Sequence, residues 1–242
     1  MRGKTLMNNR LFIKNANFRW DEIEESSYLN NIPSVRGADY IDFQKNVTFF
    51  VGENGSGKST ALEAIADAYG FNPEGGTINF RFSTYEDLSE LGSHTRLSRS
   101  GKAYFGYFFR AESFFNLSTK AEEYGLIYNG KTLHEQSHGE SFWSFFNKYN
   151  GAGLYLMDEP EAALSPQRQL SLLVHIKQMV DVGSQFIIIT HSSILLGLPD
   201  ADIISFDEGH IHRISYEETE SYQVTEMFIN NRDYFLKRLL SE

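Results

Sequence analysis

Residues 52–60 read Gly52-Glu53-Asn54-Gly55-Ser56-Gly57-Lys58-Ser59-Thr60. The stretch follows a strand-like apolar run at residues 47–51 and opens a helical pattern that continues to residue 69. Glycines here let the backbone curl so that successive N–H groups point at one anion, and the N-terminus of the following helix adds a partial positive charge. The pattern G-x-x-x-x-G-K-[ST] between a strand and a helix therefore predicts a phosphate-binding P-loop.

The side chains of this loop have separate predicted roles. Lys58 would reach the β- and γ-phosphates, and Thr60 would lie near the α-phosphate. Ser59 offers a hydroxyl to Mg²⁺, since a magnesium ion that bridges phosphates takes one or two protein oxygens and keeps several waters. The predicted phosphate contacts are Gly52, Asn54, Gly55, Ser56, Gly57, Lys58, Ser59 and Thr60.

Composition limits the class of protein. The chain has 242 residues, no cysteine and a formal net charge of -10. It lacks an internal repeat, a Pro/Gly/Ser-rich linker and a sustained heptad run, so we expect one domain spanning residues 1–242. Without an apolar run that could cross a bilayer, and without the apolar core of a signal peptide, we expect a soluble cytoplasmic protein. The acidic balance disfavours general attraction to nucleic acid, although local basic patches can act against it.

One such patch, residues 94–110, interleaves arginines and a lysine with aromatic residues. Basic and aromatic side chains together can bind nucleic acid. A strand whose aromatics pack in the core, with solvated flanking arginines, is the favoured alternative.

Apolar strand patterns alternate with helical patterns, which predicts an α/β fold with a mainly parallel sheet flanked by helices. Antiparallel portions are expected at the N-terminus and near the C-terminus. The predicted strands are 11–18, 47–51, 77–82, 103–109, 154–157 and 186–190, with a closing hairpin of 203–206 and 210–215. The predicted helices are 58–69, 141–149, 166–182 (with Ser165 as N-cap and Gly183 just past its end) and 232–240.

The strand at 154–157 runs into Asp158 and Glu159. If this strand lies beside the P-loop, Asp158 can hold the water shell of Mg²⁺, and Glu159 can orient and deprotonate an attacking water. Taken alone, a strand that ends in acids is equally well explained as a solvated sheet edge; behind a P-loop the catalytic interpretation is favoured.

Two further positions are candidates for phosphate contact. His191 ends the strand at 186–190 and could sense a γ-phosphate through its imidazole, or it could be a structural histidine bonded to a carbonyl. Residues 136–140 contain Ser137 and Gly139 just before a predicted helix, where their N–H groups would face an anion; a simple helix cap is the alternative.

In this order, the motifs resemble those of the ATP-binding-cassette (ABC) ATPase superfamily. Residues 52–60 resemble its Walker A loop, 136–140 a degenerate signature motif, 154–159 its Walker B strand with the catalytic glutamate, and 162–165 its D-loop, while His191 is similar to the switch histidine. The resemblance implies a head-to-tail homodimer in which Ser137 and Gly139 of one subunit face the ATP on the P-loop of the other. The implied cofactors are ATP and Mg²⁺, with Lys58, Glu159 and His191 as catalytic residues.

The chain departs from transporter cassettes. Glu112 stands near the place where the family has a loop glutamine, so it is a candidate metal or water contact together with Ser59 and Asp158. The segment between 110 and 137 is short, which implies a reduced helical subdomain at about residues 90–150 and disfavours a membrane permease as partner. The residues within these motifs are more similar to those of the soluble "predicted ATPase" (AAA) branch, which is related to chromosome-maintenance, repair and defence ATPases.

This resemblance implies ATP hydrolysis that drives a conformational change in a soluble effector or on DNA. The alternatives are a nucleotide-binding regulatory module without turnover and the energy subunit of a transporter. Trp20, Tyr28, Arg36 and Tyr40 are candidates to stack on adenine, and packing or surface roles are favoured for each.

His210 and His212 alternate on a predicted strand and share one face, as two metal ligands do. The sequence places no obvious third ligand beside them, so an ordinary surface pair is the favoured interpretation.

Overall fold

The computed structural model describes residues 11–72, 75–78, 90–111, Trp143 and 151–240. The strands are β1 (Ile13–Phe18), β2 (Tyr40–Asp42), β3 (Val47–Val51), β4 (Gly76–Thr77), β5 (Thr95–Arg99), β6 (Phe105–Arg110), β7 (Gly153–Asp158), β8 (Gln185–Ile189), β9 (Asp202–Ser205) and β10 (His212–Ile214). The α-helices are α1 (Pro33–Arg36), α2 (Lys58–Tyr69), α3 (Glu90–Ser93), α4 (Pro166–Asp181), α5 (Ser193–Leu196), α6 (Glu220–Asn230) and α7 (Arg232–Leu240).

The main sheet has seven strands in the order β10-β9-β3-β8-β7-β6-β4. Its five inner strands pair in parallel, and β10 and β4 add antiparallel edges. Every residue of β3 and β8 is buried. Strands covered on both faces need apolar residues at every position, which explains the continuous apolar runs in the sequence. The predicted α/β class with a mainly parallel sheet is confirmed.

Alternate side chains of the central strands supply two separate cores. Phe50, Ile187 and Ile189 face α2 and the second sheet, while Phe49 and Ile188 face α4. Successive side chains of a strand point to opposite faces of the sheet, so each apolar strand contributes residues to both cores.

The second sheet is antiparallel, with the order β2-β1-β5, and forms the predicted N-terminal β portion. The buried side chain of Gln185 joins it to the main sheet. Gln185 Oε1 accepts from the Ile13 N–H at 2.9 Å, and its Nε2 donates to the Ile13 carbonyl at 2.9 Å. One amide thus satisfies both backbone groups of a residue in the other sheet.

Several boundaries differ from the sequence predictions. Ser165 occupies the N-cap position of α4 without a side-chain cap hydrogen bond. Helix α6 was not predicted, and none of its residues is buried. Residues 95–110 contribute strands β5 and β6 to the two sheets.

The rest of the subdomain predicted at about residues 90–150, the predicted helix 141–149 except Trp143, and most of the predicted strand 77–82 lie outside the described residues. Within the described ranges, no helix combines the length and apolarity needed to cross a membrane.

Candidate functional site

The carboxyl ends of the parallel strands gather the candidate residues at one edge of the main sheet. The P-loop follows β3, Asp158 ends β7, and His191 comes shortly after β8. The expectation that the acid-bearing strand lies beside the P-loop strand is wrong, because β8 pairs in parallel with both β3 and β7 and separates them. Ligands of open parallel sheets bind at this edge, where the loops diverge.

The P-loop backbone depends on glycines in the left-handed region. Gly55 and Gly57 have φ of +82° and +97°. A Cβ on Gly57 would lie 2.3 Å from Val35 Cγ2, whereas one on Gly55 would meet no atom within 4 Å. Gly57 is therefore required by packing below the loop as well as by its φ, and Gly55 lies against open space on the side where an anion would bind.

Lys58 is buried at the start of α2, and its ammonium group donates back into the loop. Its Nζ lies 2.6 Å from the Gly52 carbonyl oxygen and 2.7 Å from that of Glu53. Burial lowers the pKa of Lys58, while the charges of Asp207, Glu159 and Asp158 act to raise it. The positive charge is thus held at the centre of the loop by carbonyls and surrounding carboxylates.

Asp207 is a site residue that the sequence analysis missed. Its Oδ1 accepts the Glu53 N–H at 2.8 Å, and a Cβ on Gly52 would lie 2.8 Å from the same oxygen. It follows β9, two positions after Ser205, whose hydroxyl lies 3.3 Å from the other carboxylate oxygen. Asp207 therefore fixes the beginning of the P-loop, and the strand-then-acid pattern at residues 203–207 is the signal that could have found it.

Ser59 and Asp158 meet across the gap between β3 and β7. Ser59 Oγ lies 3.5 Å from Asp158 Oδ1. Burial raises the pKa of Asp158 to about 6, even though the nearby Arg110 guanidinium acts to lower it. Arg110 in turn pairs with Glu63 of α2 at 2.7 Å.

Glu159 lies next to Asp158 in a left-handed conformation, with φ of 50°. This is uncommon for a residue other than glycine, and such conformations occur at functional sites. The Glu159 N–H donates to the Ile189 carbonyl at 3.1 Å, and its Oε1 lies 3.7 Å from His191 Nε2. Both side chains are about half exposed and face the edge where a nucleotide would enter.

Glu161 was also missed by the sequence analysis, which assigned its neighbours to the D-loop. Its Oε1 accepts the His191 N–H at 2.6 Å. Burial raises the pKa of Glu161, and its Oε2 is buried without a hydrogen-bond partner among the described residues. A partly buried acid in the turn after β7 therefore fixes the backbone of the candidate histidine.

The donors present fit a magnesium nucleotide. The open face at Gly55 leaves room for phosphate against backbone N–H groups. Ser59 Oγ and Asp158 Oδ1 are the hydroxyl and carboxylate oxygens that Mg²⁺ prefers. Glu112, Ser137 and Gly139 lie outside the described residues.

The candidate adenine contacts divide into a packed pair and two exposed tyrosines. Trp20 donates its indole N–H to the Ala38 carbonyl at 2.8 Å, and the Arg36 guanidinium lies 5.0 Å from the Trp20 ring centroid. Tyr28 and Tyr40 are 58% and 59% exposed. The first two thus have packing roles, and neither tyrosine is fixed by core packing.

Residues 28–146 match the family described as AAA domain. The matched residues make up just under half of the chain and are similar to an AAA domain. The family match includes the P-loop and the α2 helix that follows it, and it agrees with the P-loop ATPase type predicted from the motif order. Asp158, Glu159 and His191 come after the last matched residue of the AAA domain.

Solved structures with a similar chain path include an ATP-binding cassette of an ABC transporter and an SMC head domain from Thermotoga maritima. The first is 18% identical, covers 81% of this chain and 90% of that chain, and has a TM-score of 0.42. The second is 17% identical, covers 73% of this chain and 92% of that chain, and has a TM-score of 0.39. No curated protein matches this chain.

Proposed function

We propose that this protein is a Mg²⁺-dependent ATP hydrolase, one domain over residues 1–242, that works as a homodimer with ATP held between two copies. The observation that carries the proposal is the convergence of a P-loop, two acids and a histidine at one edge of the sheet. These residues are Lys58, Ser59, Asp158, Glu159 and His191.

When nucleotide binds, the hydrogen-bond partners of the Lys58 ammonium group change. Its ammonium group turns from the carbonyls of Gly52 and Glu53 towards the β- and γ-phosphates, and the loop N–H groups point at the same oxygens. Ser59 and Asp158 hold the metal, with Glu112 as a further candidate contact. When bound, Mg²⁺ neutralises charge on the phosphate oxygens.

Glu159 is the proposed general base. Water attacks the γ-phosphorus, its proton moves to Glu159, and the bond between the γ-phosphorus and the bridging oxygen of ADP breaks. His191 Nε2, 3.7 Å from Glu159 Oε1, is close enough to orient that carboxylate and to reach a γ-phosphate.

Ser137 and Gly139 are proposed to contact the γ-phosphate of the ATP bound to the other copy. Such contacts exist with ATP and are lost with ADP, so the two nucleotides differ in their affinity for the closed dimer. Hydrolysis would then open the dimer and move an attached soluble effector or DNA.

The test compares Glu159→Gln with Lys58→Ala. Loss of the base should lower kcat by about 10²–10⁴-fold while nucleotide still binds, and Mg-ATP should convert the 27.7 kDa chain into a dimer. Lys58→Ala should neither bind ATP tightly nor dimerise. The mass of each variant, measured by light scattering with Mg-ATP, checks both statements.

Two outcomes would support other functions. ATP binding without turnover above background in both wild type and Glu159→Gln would support a regulatory module that binds nucleotide without hydrolysing it. Capture of a membrane permease by tagged Glu159→Gln with Mg-ATP, and not by Lys58→Ala, would support a transporter subunit. Capture of DNA or a soluble protein under the same conditions would support the proposed output.

A further inference from the structure

The turn between β9 and β10 has the geometry of a tight two-residue hairpin connection. Glu208 and Gly209 both lie in the left-handed region, with φ of 58° and 72°, and the His210 N–H donates to the Asp207 carbonyl at 3.3 Å. Two consecutive positive φ values match the twist of the flanking antiparallel strands. The turn therefore brings the Glu208 side chain beside the first residues of the returning chain.

Three potential ligands converge at this turn. One donor atom each from Glu208, His210 and His212 lies within 4.8 Å of the others. The two imidazole rings are stacked, with centroids 4.3 Å apart and an interplanar angle of 19°. A tetrahedral ion with bonds of about 2.1 Å separates its ligands by about 3.4 Å. Because the ion lies in the plane of each imidazole that binds it, the two partly exposed rings must turn out of their stack to bind one ion.

Hydrogen bonds from the other ring nitrogens prepare both histidines for metal binding. His210 Nδ1 lies 3.2 Å from the Glu208 carbonyl oxygen, and His212 Nδ1 lies 3.4 Å from the His210 carbonyl oxygen. A carbonyl can only accept, so each Nδ1 carries the proton and each Nε2 keeps its lone pair. In metal-binding histidines a backbone carbonyl likewise fixes the tautomer that leaves the other ring nitrogen free for the metal.

We propose that Glu208, His210 and His212 bind a divalent transition-metal ion, with Zn²⁺ as the best match. Two imidazoles and one carboxylate suit zinc and its neighbours, whereas Mg²⁺ prefers oxygen ligands alone. The third ligand, which the sequence did not reveal, is Glu208, placed by its left-handed φ.

The site opens to a cavity of about 330 Å³ that is also lined by Gly52 and His191. Glu208 and His212 line this cavity. Glu218 also lines this cavity, and its Oε2 accepts the Ser215 N–H at 2.7 Å. The fourth metal position therefore faces this cavity, where solvent or a cavity-lining carboxylate could fill it.

The experiment titrates ZnCl₂ into the chelator-treated full chain in competition with a chromophoric zinc chelator. We expect one zinc per chain, with affinity lowered at least about tenfold in His212→Ala and in His210→Ala. Glu208→Gln should weaken binding by a smaller factor. His94→Ala is the control. His94 contacts Glu22 and not the three proposed ligands, so its substitution should leave the affinity for zinc unchanged.

A second measurement replaces zinc with Co²⁺ and follows its visible ligand-field bands. The bands should appear with wild type and His94→Ala, and be lost in the His210→Ala/His212→Ala double variant with unchanged circular dichroism. Zinc binding by that double variant as tight as by wild type would overturn the proposal. Failure of wild type to compete with the chelator, or displacement of zinc by an equal concentration of Mg²⁺, would also overturn it.

Discussion

The backbone N–H of His191 donates to Glu161 Oε1 at 2.6 Å. This contact joins the turn after β7 to the end of β8. It makes the position of the histidine dependent on a carboxylate whose second oxygen is buried.

Glu161→Ala should therefore lower kcat for ATP hydrolysis by about tenfold with little change in KM. The substitution leaves the His191 N–H without its acceptor and frees the backbone that positions the imidazole. Steady-state kinetics measure the effect. Glu161→Gln retains a carbonyl oxygen at the same place, so it should keep most of the activity. An alanine variant as active as the wild type would show that this contact does not position the histidine.

Gly57→Ala and Gly55→Ala should separate folding from binding in the P-loop. At Gly57 a methyl group would collide with Val35 Cγ2 at 2.3 Å, so we expect a loss of about 3 kcal/mol or more in unfolding free energy. At Gly55 the methyl meets no atom within 4 Å, and the left-handed φ alone costs about 1–2 kcal/mol. Urea unfolding measures both values. Gly55→Ala should remain folded and lose affinity for ATP, and equal stability of the two variants would contradict this account.

Asp158→Asn should stabilise the nucleotide-free protein at neutral pH. Burial raises the pKa of Asp158 from 3.8 to about 6. Ionising this carboxyl group in the folded protein therefore costs free energy, and the free energy of unfolding of the wild type falls as the pH rises from about 4 to about 6. The upper limit of the gain is on the order of 3 kcal/mol. Unfolding free energies at pH 8 and pH 5 check it, with the larger gain expected at pH 8.

The matched control for that measurement is Asp181→Asn. Asp181 is half exposed in a surface pair with Lys177, so its substitution should change stability by less than about 0.5 kcal/mol. Asp158→Asn should also lose ATPase activity. A variant less stable than wild type at pH 8 would mean that the Ser59 and Arg110 contacts outweigh the cost of burial.

Gln185→Ala should destabilise the protein by about 2–4 kcal/mol, because it leaves the N–H and carbonyl of Ile13 without their partner inside the core. Chemical denaturation measures the change. Gln223→Ala, at an exposed position on α6, should be nearly neutral. A small effect at Gln185 would indicate that water replaces the lost amide.

The sequence predicted the local parts of the site because each is encoded by neighbouring residues. The P-loop combines glycines at fixed spacing with a strand and a helix, and β7 and β8 combine apolar runs with polar ends. The position of β8 between β3 and β7 could not be predicted in this way, since strand order depends on pairings between distant segments.

Asp207 and Glu161 escaped prediction for the same reason. Their hydrogen bonds to the Glu53 and His191 N–H groups join residues 154 and 30 positions apart. Glu208 escaped because its contribution depends on a left-handed backbone that a glutamate seldom adopts.

The insertion of β8 between β3 and β7 sets the width of the nucleotide edge. Neighbouring strands lie about 4.8 Å apart, so the P-loop strand and the acid-bearing strand are separated by roughly 10 Å. This separation is fixed by main-chain hydrogen bonding, so exchanging side chains within the core cannot widen or narrow it. The distance between the phosphate-binding loop and the acids is therefore set by the order of the strands. The sequences of the loops can change without altering this distance.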